Sequence, residues 1–106
     1  MPKVEILGDR ERYVKTGSKV LLQCAIKNSL EIPFYTLWYH HERQLPDPKD
    51  RPDKVSVHTK LAGDGTNDTY SNLTIHDAGP ADSGNYTCRP SNLESTSVQL
   101  HVLNGE

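Results

Sequence analysis

Two cysteines, five histidines, three asparagine triplets and one acidic loop are the residues of this chain whose types and spacing could do chemistry. Asn67-Asp68-Thr69, Asn72-Leu73-Thr74 and Asn85-Tyr86-Thr87 each have the Asn-x-Ser/Thr form that accepts an N-linked glycan on an exported chain. One such triplet arises readily by chance; three in 106 residues argue for a glycoprotein. His40-His41 invites a metal, but neighbours on a strand point to opposite faces, so the pair is not expected to chelate one ion. His58, His76 and His101 fall on separate segments. Asp47, Asp50 and Asp53 alternate with Lys49 and Arg51, which is the pattern of a solvated loop rather than a cation site. Ser83-Gly84 lacks a surrounding Gly-x-Ser-x-Gly, and Gly63-Asp64-Gly65 is too short for a phosphate loop. The expectation is therefore no enzyme, no metal and no cofactor. Cys24 and Cys88 could be free buried thiols of a cytosolic domain or a staple of an exported one, and the three triplets favour export.

The elements that must position these groups belong to one small domain of 106 residues, with an ordered span of about 4–103. With 34% hydrophobic residues its core is thin. A chain of this length buries only about 60–70% of its unfolded surface and gains from a covalent cross-link. The net charge of -2 comes from acids and bases mixed along the chain. No basic stripe for nucleic acid and no polybasic membrane patch stand out. No apolar run approaches 18 residues and no signal-peptide h-region stands out, so membrane insertion by this segment is not expected. Met1 then reads as an artificial start, and the chain as a piece of a longer ectodomain.

Short segments alternate apolar and polar residues between Gly, Pro, Asn and Asp, which predicts an all-β sandwich. Val4–Leu7 and Arg12–Val14 form a first, broken strand. Val20, Leu22 and Cys24 share one face of the next. A third strand spans Phe34–His40 with Thr36 and Trp38 inward, followed by a short one at Arg43–Leu45. The charged, Pro-rich 46–53 segment is a loop. Val55 and Val57 open another strand, Leu73 and Ile75 point inward from the next, and Asp77–Gly84 turns the chain. Tyr86, Cys88 and Pro90, then Val98, Leu100 and Val102, are the inward residues of the last two strands. Seven prolines and seven glycines, with no lasting 3.6-residue apolar period, exclude a helical fold.

A tryptophan fourteen residues after the first cysteine and a tyrosine two residues before the second resemble the spacing of an immunoglobulin Greek-key sandwich of two antiparallel sheets. That resemblance implies an inter-sheet disulfide between Cys24 and Cys88, with Trp38 packed on it. A disulfide closing a loop of about 65 residues contributes roughly 4 kcal/mol in the chain-entropy model. It also implies that Tyr86 is a tyrosine corner bonding backbone near Asp82. Asp82 is expected to face a basic residue at the start of the strand after the loop: Lys54 first, Arg51 second. The long interval between the cysteines, stretched by segments 46–53 and 63–68, leaves the immunoglobulin set open.

If Trp38 is inward, Tyr35, Leu37 and Tyr39 point outward, with Thr87 and Arg89 on the neighbouring strand. Aromatics, an aliphatic residue and an arginine have the composition of a protein contact face. Equally, Arg89 could simply stack on Tyr39. Asn72, alternating with Leu73, would direct a glycan away from the opposite sheet and leave this face open.

The run from Asp9 to Ser18, Trp38-Tyr39-His40, the stretch Asp82 to Asn92 and the closing Val98-Gln99-Leu100-His101-Val102-Leu103-Asn104-Gly105-Glu106 together resemble the second immunoglobulin domain of the Dpr (defective proboscis extension response) proteins of insect neurons. The likeness runs along nearly the whole chain, and the Leu-His-Val-Leu-Asn-Gly-Glu ending is its most particular part. It implies a membrane- or lipid-anchored surface protein that pairs with Dpr-interacting proteins (DIPs) in synaptic partner matching. In that family the first domain carries the pairing surface. The second, which this chain resembles, would then be a membrane-proximal spacer, and no partner-binding residue transfers to it. The alternative is that the domain itself binds or homodimerises through the Tyr35–Leu37–Tyr39–Arg89 face.

Overall fold

In the computed structural model, residues 1–104 are described; Gly105 and Glu106 of the closing motif lie outside the described residues. The period-two alternation resolves into nine strands among the described residues: β1 Lys3–Ile6, β2 Glu11–Lys15, β3 Val20–Lys27, β4 Thr36–His40, β5 Arg43–Leu45, β6 Val55–Leu61, β7 Thr69–Ile75, β8 Gly84–Pro90 and β9 Thr96–Leu103. They form a four-stranded sheet in the order β1-β3-β7-β6 and a five-stranded sheet in the order β2-β9-β8-β4-β5. All pairs are antiparallel except the edge strand β2, which lies parallel to β9 and makes the larger sheet mixed at that edge. The chain changes sheets between β1 and β2 at Gly8, whose φ of 81° suits glycine. Arg12 fills the space a Cβ there would need and donates from Nη2 to the Leu7 carbonyl and from Nε to the Asp9 carbonyl.

Alternate residues of the strands face inward, and most of them are apolar; together they close a core in which Leu22, Ile26, Trp38, Leu73, Ile75 and Leu100 are fully buried. The Cys24–Cys88 disulfide ties β3 to β8 across the sheets over a sequence separation of 64. Trp38 is the direct β4 neighbour of Cys88. Its indole N–H crosses to the other sheet and donates to Ser71 Oγ on β7 at 2.9 Å, and Ser71 in turn shares a 2.8 Å hydrogen bond with Thr59 on β6. A serine at the centre of a buried strand thus satisfies the one polar atom that the tryptophan brings inside.

A second set of bonds fixes the turn before β8. Tyr86 Oη donates to the Asp82 carbonyl at 2.6 Å. Burial pushes its phenol well above the ordinary range. The Asp82 carboxylate accepts from Gly79 N–H at 2.8 Å and from Lys54 Nζ at 2.7 Å, and Lys54 also donates to the Asp77 carbonyl. The pair is mostly shielded, with side chains 18% and 15% exposed.

Two local features differ from the sequence reading. Strand β4 starts at Thr36 rather than Phe34, because the Phe34 N–H is taken by Ser91 Oγ at 2.8 Å instead of a ladder partner. His40 and His41 do not diverge: His41 lies past the strand end with φ 58°, so strand alternation no longer applies and the two rings stack 4.7 Å apart. His40 is buried, lies flat against Tyr86 with centroids 4.3 Å apart, and donates from Nε2 to the Ser83 carbonyl at 2.9 Å. In the 46–53 loop, Arg43 pairs with both Asp47 and Asp50, and Arg51 with Asp53. No strand forms between β5 and β6 among the described residues, so the larger sheet ends at β5 on that side.

Replacing Ser71 by alanine leaves the Trp38 indole N–H buried without an acceptor, and should cost about 1–3 kcal/mol in urea unfolding. A change below 0.5 kcal/mol would mean the indole finds another acceptor. A second expectation concerns acid. Burial lowers the pKa of His40, reinforced by His41 and Arg43 and opposed by the Ser83 hydrogen bond and Asp82. The unfolded chain therefore takes up this proton first. The contribution is complete above about pH 6.5 and is lost progressively as pH falls from there through the folded-state pKa. Urea titrations from pH 7.5 to 5.5 should show stability falling with acid, and a shallower fall in His40→Gln; equal slopes would remove His40 as the cause.

Candidate functional site

Inward burial of Trp38, Tyr86, Cys88, Val98 and Leu100 fixes what the larger sheet shows to solvent. Leu37 and Tyr39 come from β4, Thr87 and Arg89 from β8, Ser97, Gln99 and His101 from β9, and Glu11 and Tyr13 from β2. Register puts Leu37 opposite Arg89 and Tyr39 opposite Thr87. The Arg89 guanidinium sits 4.9 Å above the Tyr39 ring, so arginine and tyrosine cover each other. Leu37 and Tyr39 are half-buried, whereas Tyr35, just ahead of β4, is 54% exposed.

The far side of this face escaped the sequence reading. Tyr13, 62% exposed, stacks on His101 with ring centroids 4.5 Å apart, and His101 Nε2 donates to Glu11 Oε1 at 2.9 Å. The alternation of Glu11, Tyr13 and Lys15 was visible in the sequence, but nothing there announces that β2 crosses to lie beside β9. Between the two aromatic clusters the surface is polar and internally bonded, with Thr87 Oγ1 3.1 Å from Ser97 Oγ.

The three candidate glycan acceptors occupy three different surfaces. Asn72 lies on the outer face of the smaller sheet, where Gln23 Nε2 reaches its Oδ1 at 3.4 Å and His58 is its register neighbour. Asn67 is exposed in the turn before β7 and donates from Nδ2 to the Leu30 carbonyl at 3.1 Å. Asn85 lies on the outer face of the larger sheet opposite Gln99, its Nδ2 3.5 Å from Thr87 Oγ1. A sugar on Asn72 leaves the larger sheet open, whereas one on Asn85 would stand on it. Among the described residues no group of three or more His, Cys, Asp or Glu side chains is placed to hold a metal ion. No helix of the described residues is long and apolar enough to cross a membrane.

A family profile described as immunoglobulin domain matches residues 2–92. Over 94 residues, 89% of this chain, the sequence is 33% identical to the cell adhesion molecule Dscam2 of Drosophila melanogaster, of whose length that is 4%. A solved structure of Dpr2 Ig1-Ig2 in complex with DIP-Theta Ig1-Ig3 superposes on 97% of this chain with a TM-score of 0.80 and 32% identity, covering 50% of the solved chain. Dpr1 IG1 bound to DIP-eta IG1 superposes with a TM-score of 0.70 over 98% of each chain at 21% identity, which speaks for the fold alone.

The contact between Arg89 and Tyr39 is measurable. A double-mutant cycle of Tyr39→Ala and Arg89→Ala should return a coupling of about 0.5–1 kcal/mol in urea unfolding, as for an exposed cation–π pair. Zero coupling would leave both side chains free for a partner.

Proposed function

The chain belongs to the immunoglobulin domain family, and on that footing we propose that it is an extracellular domain of a neuronal cell-surface recognition and adhesion protein. In this reading the whole protein matches synaptic partners, and this domain serves mainly as a glycosylated, membrane-proximal spacer. The observation that carries the proposal is 32% identity along nearly the whole chain to one half of a two-domain Dpr fragment. The adhesion molecule Dscam2, at 33% identity, supports the same cell-surface setting, and a disulfide is at home there. Partners would be immunoglobulin proteins of the DIP type, engaged through a neighbouring domain.

The geometry favours a spacer over a binder on the large sheet. Arg89 is spent on Tyr39, His101 on Tyr13 and Glu11, and Thr87 on Ser97. A face whose polar and cationic groups already satisfy one another offers a partner little uncompensated bonding. The second reading, direct binding or homodimerisation through Tyr35, Leu37, Tyr39 and Arg89, draws on the exposure of Tyr35. Asn85 separates the two: a glycan there would obstruct that face.

Surface plasmon resonance against a panel of DIP ectodomains, with the isolated domain and the natural longer ectodomain as two analytes, tests the proposal. Binding by the longer protein only is the expected result. Binding by the isolated domain, abolished by Leu37→Asp with Tyr39→Asp at unchanged melting temperature, would replace the spacer reading with the second.

A further inference from the structure

The least satisfied surface of the molecule is not the sheet face but one pole of the sandwich. Leu30 and Phe34 are 92% and 94% exposed, and Ile32, Tyr35 and Leu61 beside them are 44%, 54% and 49% exposed. Ile32, Pro33, Phe34 and Leu61 line an open groove between the β3–β4 loop and the end of β6. Leu30 stands on the same loop but lines a separate, shallower groove. Apolar exposure gathered on one loop and its neighbour marks an interaction site rather than the scattered exposure of any surface.

The loop that presents the cluster is held rigidly. Asn92 Nδ2 donates to the Glu31 carbonyl at 3.1 Å and Asn67 Nδ2 to the Leu30 carbonyl at 3.1 Å, so docking at this pole requires that, of the three triplets, Asn67 carries no sugar. Asp68 accepts from Asn28 N–H at 3.1 Å, and Ser91 Oγ accepts from Phe34 N–H. Polar side chains from the two adjoining loops therefore fix the backbone while the apolar side chains face out. Such preorganisation lowers the entropic cost of docking.

The polypeptide also enters the fold at this end of the sandwich, on the β1 edge of the sheet. Lys3 of β1 pairs with Lys27 at the end of β3, and Pro2 shares a shallow groove with Leu30 and Leu93. A domain joined directly ahead of β1 starts beside Leu30 and, to cover Phe34 and Leu61 as well, must lean across this end of the sandwich towards the β6 edge of the sheet. The solved Dpr2 relative is a two-domain Ig1-Ig2 protein of which this chain covers half.

We propose that the pole formed by Leu30, Ile32, Phe34 and Leu61 is a docking surface for a preceding immunoglobulin domain of the same polypeptide, locking the two into one stiff unit. This rests on the spacer reading above and gives that spacer its mechanical partner. The test uses the natural two-domain ectodomain, wild type and Leu30→Ser with Phe34→Ser, followed by NMR relaxation of each domain and small-angle X-ray scattering. Because both side chains are almost fully solvent-exposed, the substituted domain should keep its own melting temperature, which checks that it still folds. Expected is a single rotational correlation time shared by both domains in the wild type. In the variant this domain's correlation time should drop towards that of the domain alone. Independent tumbling already in the wild type, or no change in the variant, overturns the docking while leaving the spacer reading intact. Dimerisation of the isolated domain in sedimentation, abolished by the same substitutions, would assign the pole to a second copy and also overturn the proposal. Finding no immunoglobulin domain ahead of this one in the natural protein would instead overturn the spacer reading itself.

Discussion

Everything in this domain depends on holding two sheets face to face across a thin core. Three contacts do it within a few residues of one another: the Cys24–Cys88 bridge, the Trp38 side chain beside it, and the Trp38–Ser71 hydrogen bond from one sheet to the other. The bridge restricts the unfolded chain, contributing roughly 4 kcal/mol for a loop of this length. That is a large share of the stability of a small domain. The tryptophan supplies buried area, and Ser71 removes the cost of burying its N–H. With the sheets so fixed, strand alternation decides which residues every outer surface can show.

That dependence also explains how much could be read from the sequence. Strand alternation and the cysteine, tryptophan and tyrosine spacing carry the all-β sandwich and its disulfide, because they are local in sequence or fixed by a single staple. The outward side of Leu37 and Tyr39 follows once Trp38 is inward. What stayed hidden depends on contacts distant in sequence. Ser71 is an unremarkable serine until Trp38 lies across from it, and Tyr13 meets His101 only because β2 crosses to the opposite sheet. His41 was misplaced because alternation was carried one residue beyond the strand, into a turn with positive φ.

The outer surfaces differ in how far they are already satisfied. On the larger sheet, cation, ring, hydroxyl and carboxylate groups pair among themselves. Such a face gains little by exchanging those bonds for new ones, since desolvation must be repaid first. On the smaller sheet the alternating outer positions carry polar groups such as Gln23, Asn72 and His58, with Asn72 a candidate glycan acceptor. A sugar there would keep that sheet solvated and discourage sheet-to-sheet association.

At the pole the balance runs the other way. Fully burying one phenylalanine or leucine side chain gains about 1.5–3 kcal/mol, and here two such side chains stand almost wholly in water on a loop whose backbone is already bonded in place. Ordering costs little more, so most of that gain is available on contact. Stiffness inside the domain, from bridge and tryptophan, would be of limited use to a spacer if the joint to its neighbour were loose. An apolar pole at the end where the chain enters would supply that joint, with the same non-directional force that closes the core.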